Sequence, residues 1–186
     1  MTKDLEFYRT PTWATATLLD RLGCDGSVLE PCSGDGAITE MFRSGARHVT
    51  TNDIDVEMDA DYHLDASDPA SWVRWNGRFD WIVSNPPFSK AHAIVPLAVD
   101  AAISGVAMLL RLSWLEPCKN RAGWLSDNPP RALFVLPRMS FTGDGKTDSV
   151  TCAWMVWTKL DAAPTGVEVV RYRSRVTGNP IPFAEV

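Results

Sequence analysis

The chain reads as an α/β protein with a mostly parallel sheet, and three observations predict it. Short apolar runs alternate with helical patterns along most of the sequence, the arrangement of strands and crossover helices. A length of 186 residues, with 45% hydrophobic and 22% charged residues, suits one soluble domain with a proper core and is short for two. The first apolar run ends in a carboxylate and a glycine-containing turn, Glu30-Pro31-Cys32-Ser33-Gly34-Asp35-Gly36, which opens directly into a helical pattern.

Taken in order, residues 12–22 read as a helix, with Thr10 as its cap and Pro11 in its first turn. Residues 27–30 form the first strand and 36–44 the helix after it. Residues 48–52 form the second strand, 62–64 a weak third, and 79–84 the fourth, followed by a helix over 89–103. Residues 106–112 and 131–136 give two more strands. Residues 152–157 follow a loop rich in Gly, Asp and Ser, so this strand hairpins back antiparallel. The stretch 113–130, with its prolines, Trp114 and Trp124, reads as irregular and suited to a lid or binding loop that touches substrate. No internal repeat or low-complexity linker divides the chain, which is expected to be a single domain over residues 1–186.

Several function classes are disfavoured at this level. No apolar run approaches the ~20 residues of a membrane span, and the N-terminal residues lack the basic-then-apolar layout of a signal peptide. Cys24, Cys32, Cys118 and Cys152 are scattered without CxxC spacing, and His48, His63 and His92 are isolated. That pattern points to reduced thiols in the cytoplasm and to no metal site. The net charge of −5 is unevenly spread: residues 1–100 carry 8 Lys+Arg against 16 Asp+Glu, and residues 101–186 carry 10 against 7. The acidic excess gathers at residues 53–68, so the C-terminal half is left able to face an anionic ligand.

Three motifs carry chemistry. In the first, Gly34 and Gly36 let a ligand approach the backbone after Glu30 and Pro31, but no third glycine follows, so a dinucleotide fingerprint is not met. The second is Asn52-Asp53-Ile54-Asp55, about 20 residues on at the end of the second strand. A carboxylate there can accept bonds from two ribose hydroxyls; Ile54 suits an adenine ring and Asp65 an adenine amino group. The third is Asn85-Pro86-Pro87-Phe88, directly after an apolar strand. Consecutive prolines hold the turn rigid. An exocyclic amine such as adenine N6 is a poor nucleophile because its lone pair is delocalised. Asn85 Oδ1 and the Pro86 carbonyl can accept its N–H bonds and favour tetrahedral nitrogen as it attacks a methyl group. Phe88 offers a flat face to a flipped base.

With Phe7-Tyr8-Arg9-Thr10-Pro11 ahead of them, these motifs together resemble the amino-methyltransferases of the class I S-adenosylmethionine-dependent superfamily. The similarity is strongest to small phage-type DNA N6-adenine methyltransferases and spans roughly residues 7–158. The resemblance implies a Rossmann-like, seven-stranded, mostly parallel sheet with the last strand antiparallel and helices on both faces. It implies S-adenosylmethionine as cofactor, with Tyr8, Thr10 and Pro11 covering its methionine part and Glu30, Gly34 and Gly36 lining the same pocket. Asp53 then meets the ribose and Asp65 the adenine. It further implies that Phe141, in the loop before the last strand, clamps the flipped base, and that the protein works in the cytoplasm, the host's if phage-encoded. The sequence departs from the pattern in having no stretch long enough for a target-recognition region. Specificity is then loop-encoded, lax or supplied by a protein partner.

DNA is the expected substrate, with RNA bases, a protein glutamine amide, or a catalytically inactive cofactor-binding module as alternatives. In Arg171-Tyr172-Arg173-Ser174-Arg175 the arginines recur every second residue, which on a strand puts Arg171, Arg173 and Arg175 on one face. Such a row either tracks phosphates or keeps an edge strand from pairing with other chains.

Overall fold

The computed structural model describes residues 6–45, 47–119, 121–139 and 150–171. Seven strands, β1 (Val28–Glu30), β2 (Val49–Thr51), β3 (Trp81–Ser84), β4 (Gly105–Arg111), β5 (Ala132–Val135), β6 (Cys152–Thr158) and β7 (Gly166–Val169), form one sheet in the order β2-β1-β3-β4-β6-β5-β7. Only β6 runs against its neighbours, pairing antiparallel with both β4 and β5; the other pairings are parallel.

The central strands are buried along their length because helices cover both faces of the sheet. Alternation along each strand then divides the core in two. Trp81 and Val83 of β3 and Trp154 and Val156 of β6 pack with Ala14 and Leu18 of α1 (Thr12–Leu22) and Ile38 and Phe42 of α2 (Ala37–Ser44). Ile82, Met155 and Trp157 face the other way, toward Trp72 of α3 (Pro69–Trp72) and Ile94, Val95 and Ala98 of α4 (Ala91–Ala101). The Trp154 indole donates to the Ala14 carbonyl at 2.7 Å and so fastens α1 to β6.

Besides the short helix α3, which the sequence pattern does not announce, the expected elements and the observed ones differ in four places. The weak third strand is a single bridge, Asn52 to Tyr62. Beyond it a side chain replaces the ladder: Asn52 Oδ1 accepts from Leu64 N at 2.9 Å and Asn52 Nδ2 donates to Leu64 O at 3.0 Å. The edge strand β7 was not expected, because its four residues are all exposed and give no burial pattern. It is held by backbone pairing to β5 and by the ion pair of Glu168 with Arg21 at 2.5 Å. The stretch 113–130 is not irregular: it holds a 3₁₀ turn at Leu112–Leu115 and a short α5 (Ala122–Asp127). Finally, Pro11 and not Thr10 takes the cap position of α1, with no side-chain capping bond; the Thr10 hydroxyl is used elsewhere, as described below. Among the described residues, no helix is long and apolar enough to cross a membrane.

Asn52 is fully buried, and its Nδ2 donates to the Pro31 carbonyl at 2.8 Å as well as to Leu64. Replacing it by alanine strands the buried Pro31 carbonyl and leaves the half-buried carbonyl and N–H of Leu64 without their partner. Asn52→Ala is expected to lower the unfolding free energy by about 2–4 kcal/mol, measured by urea denaturation with an unchanged slope. A loss below about 0.5 kcal/mol would show that water takes over these bonds.

Candidate active site

The C-terminal ends of the parallel strands lie along one edge of the sheet. Chain order departs in opposite directions on either side of β1 and β3, which opens a crevice at that point. A cavity of about 450 Å³ occupies it, within the range that holds a small cofactor. Tyr8, Thr10, Glu30, Pro31, Gly34, Asp53, Ile54, Asp65, Asn85 and Pro87 all line it, so the three sequence motifs and the N-terminal segment converge on one space. Pro11, Gly36, Pro86 and Phe88 are not among the residues that line it. Gly36, at φ +79°, turns the chain into α2, and Pro86 is buried.

The glycine turn and the loop after β2 are tied together by Asp53. Its Oδ2 accepts from Gly34 N at 2.8 Å and its Oδ1 from Asp55 N at 2.9 Å. Each carboxylate oxygen keeps acceptor capacity for a further donor. Gly34 adopts φ +51°, a left-handed conformation that favours glycine, and the Phe7 ring lies over the space a Cβ would take. Carboxyl groups outnumber cations among the charged residues of the wall: Glu6, Glu30, Asp35, Asp53, Asp55 and Asp65 line it together with Arg9 and Lys90. The acidic excess seen in residues 53–68 thus belongs in part to the cavity.

The N-terminal segment closes one side. Arg9 Nε pairs with Asp35 Oδ2 at 2.5 Å, and Ser89 N donates to Glu6 Oε2 at 3.2 Å. The same segment orients Asn85, whose Nδ2 donates to the Tyr8 carbonyl at 2.8 Å and to Thr10 Oγ1 at 3.0 Å. A carbonyl can only accept, so the amide nitrogen must face it. Asn85 Oδ1 is left buried and without a hydrogen-bond partner among the described residues. The Pro87 carbonyl accepts from Lys90 N at 2.9 Å, whereas the Pro86 carbonyl accepts nothing among the described residues. Both groups belong to the turn that follows β3.

Phe88 stacks on Tyr8 with ring centroids 5.2 Å apart and planes 23° from parallel. The Arg111 guanidinium lies 4.5 Å from the Phe88 centroid. Sequence reasoning missed both Thr10 as an orienting hydroxyl and Arg111, since each acts through a contact with a residue distant in sequence. Of the two tryptophans read as loop residues, Trp114 is buried in the core that holds Trp157, and Trp124, partly buried, packs edge to face on it at 6.3 Å. Arg171 is exposed just after β7, which ends before the arginine row begins. Phe141, Arg173 and Arg175 lie outside the described residues. Among the described residues, no cluster of His, Cys, Asp and Glu is arranged to hold a metal.

No family model matches the chain, and no curated protein matches its sequence. Solved structures do match. The M protein of the type I restriction enzyme EcoKI superposes with a TM-score of 0.65 at 13% identity, over 89% of this chain and 47% of that one. A Pyrococcus horikoshii protein described as an RNA methyltransferase gives 0.55 at 17% identity, over 84% and 88%. The 23S rRNA methyltransferase ErmE gives 0.55 at 18%, over 85% and 71%. The fold is that of the class I methyltransferases. The antiparallel strand expected over residues 152–157 is β6 (Cys152–Thr158), but it is not the last: β7 follows it and pairs parallel with β5.

Within this methyltransferase fold one wall residue carries a shifted proton affinity. Glu30 is buried, and burial pushes its carboxyl up to about 8, against the opposing influence of the Thr39 hydroxyl and N–H that bond it. Nearby Asp53 and Asp35 raise it further. The folded state thus holds a proton that the unfolded chain releases near 4.5. Stability attributable to this group is full below that value and is lost as pH rises toward about 8. Glu30→Gln removes the dependence. The melting temperature of Glu30→Gln minus that of the wild type is expected to increase by several degrees between about pH 5 and pH 8. A difference that stays flat across this window would show that Glu30 does not hold the proton.

Proposed function

We propose that this chain is an S-adenosylmethionine-dependent methyltransferase acting on the exocyclic N6 amine of adenine in DNA. The observation that carries the reading is the buried, unpartnered Asn85 Oδ1 at the end of β3, oriented by Tyr8 and Thr10. An acceptor fixed in that way suits a substrate that brings an N–H.

The cavity fits the cofactor by charge and shape. A wall whose carboxyl groups outnumber its cations favours a ligand with a sulfonium and an ammonium group. Glu30, with Tyr8 and Thr10 opposite, suits the methionine part, and Glu30 gives up its proton when a cation arrives beside it. Asp53 has acceptor capacity for ribose hydroxyls, and Ile54, half exposed at 49%, offers an apolar surface for the adenine ring near Asp65. When bound, the cofactor supplies an electrophilic methyl group.

The remaining work falls to the chain. The target base is extruded from its duplex and brought against the edge of Phe88, whose ring already stacks on Tyr8 and carries Arg111. Asn85 Oδ1 and the Pro86 carbonyl accept its two amino hydrogens, which draws the nitrogen lone pair out of the ring. Positive charge grows on that nitrogen as it attacks, and the two oriented dipoles stabilise it without reorganisation. One amino proton then leaves to solvent. Phe141 on the base and Arg171, Arg173 and Arg175 on the backbone complete the proposed substrate contacts. A nucleic acid is favoured by the positive balance of residues 101–186 and by the likeness in fold to the restriction-enzyme M protein and to the rRNA methyltransferase ErmE.

Mass-spectrometric nucleoside counts of DNA and RNA from cells expressing the chain test the substrate. N6-methyladenine is expected to rise in DNA; a rise confined to RNA would replace this reading, and no rise in either would overturn it. Asn85→Ala is expected to lower turnover by about 10²–10³ while calorimetric affinity for S-adenosylmethionine stays nearly unchanged. A variant that keeps more than about a tenth of wild-type turnover would make Asn85 structural.

A further inference from the structure

Strand β4 outruns β3. Ser84, the last residue of β3, pairs with Met108, and β4 continues for three residues to Arg111. Arg111 therefore stands level with the Asn-Pro-Pro-Phe turn that follows Ser84, and its guanidinium lies against Phe88. Its Nε–H is buried without a hydrogen-bond partner. Arg47 and Arg131 also have an unpartnered Nε, but their terminal amino groups bond Gly23 O and Asp25, and Asp161 O, respectively. Arg111 has no such bond and belongs to none of the ion pairs among the described residues, Arg9–Asp35, Arg21–Glu168 and Arg47–Asp25.

A ring face attracts a cation but leaves the in-plane N–H groups unused. What Arg111 lacks is an anion with two acceptor oxygens, and buried donors are seldom left unmatched. We propose that Arg111 binds a phosphodiester group of the substrate strand, beside the nucleotide whose base rests on Phe88. This rests on the nucleic-acid reading above. Bases are neutral and a glutamine side chain is neutral, so the phosphate is the group in a nucleic acid that supplies the missing charge. The flat guanidinium fork matches two of its oxygens. Arg111 would then fix the strand while Asn85 and Phe88 hold the base.

The test measures binding of the full chain to a labelled mixed-sequence DNA duplex across a salt series. Arg111→Gln is expected to flatten the slope of log affinity against log salt by about 0.9, whatever the base sequence. Arg111→Lys is expected to keep the slope, and both variants to keep wild-type affinity for S-adenosylmethionine. An unchanged slope in a folded Arg111→Gln protein that still binds DNA would overturn the proposal and leave the nucleic-acid reading standing. A wild-type protein that binds no nucleic acid would overturn both. A second measurement needs only the wild type: neutral methylphosphonates replace phosphates flanking adenine. Loss of about tenfold or more at one such position is expected, and no loss at any position would overturn the proposal even if Arg111→Gln fails to fold.

Discussion

Three chain segments that build the cavity meet at the buried amide of Asn52. Its nitrogen donates to Pro31, in the turn after β1, and to Leu64, which leads to Asp65. Its oxygen accepts from Leu64 N, and its own backbone carbonyl accepts from Ser33 N at 2.9 Å. The amide thus satisfies backbone groups that no strand is present to satisfy, and a buried backbone left unpaired there would be costly. Asp53, the next residue, extends the same clasp to Gly34. The positions of the carboxylates in the cavity follow from this pair of neighbours.

A second amide works by the opposite logic. Asn52 spends both ends on its own chain, whereas Asn85 spends its nitrogen on Tyr8 and Thr10 and leaves its oxygen unused. The N-terminal segment therefore both walls the cavity and sets the direction of the acceptor at the end of β3. Cofactor and substrate, on the proposed reading, are read through one piece of backbone. Loosening the Arg9–Asp35 contact would be felt at Asn85, although neither residue touches it.

Much of this was legible in the sequence where local chemistry and tertiary role coincide. The helix at Thr12–Leu22, the strand ending in Glu30 and the strand ending in Ser84 fall where periodicity and turn residues place them. Glu30, Asp53 and Asn85 share a cavity because each closes a parallel strand, a consequence of topology that a strand-by-strand reading can use. The rest depended on contacts that sequence spacing does not encode. Thr10 looked like a helix cap because threonine before proline at a helix start often is one, yet its hydroxyl is claimed by Asn85. Residues 62–64 looked like a strand because their backbone is paired, but a side chain does part of the pairing. Strand β7 is solvent-exposed throughout, so no apolar face marks it. Trp114 was taken for a loop residue from its neighbouring prolines, and burial against Trp157 outweighed them.

The excess of carboxyl groups over cations on the wall bears on what happens after transfer as much as before it. On the proposed reading the incoming cofactor carries a positive sulfur, and the spent one carries a neutral thioether. The two differ by one methyl group in size and by a full unit of charge. A cavity bounded by Asp53, Asp65 and Glu30 feels that change directly, since attraction to the sulfur vanishes at the moment the methyl leaves. The wall thus grips the reactant more firmly than the product, and each turnover weakens the hold that would otherwise block the next.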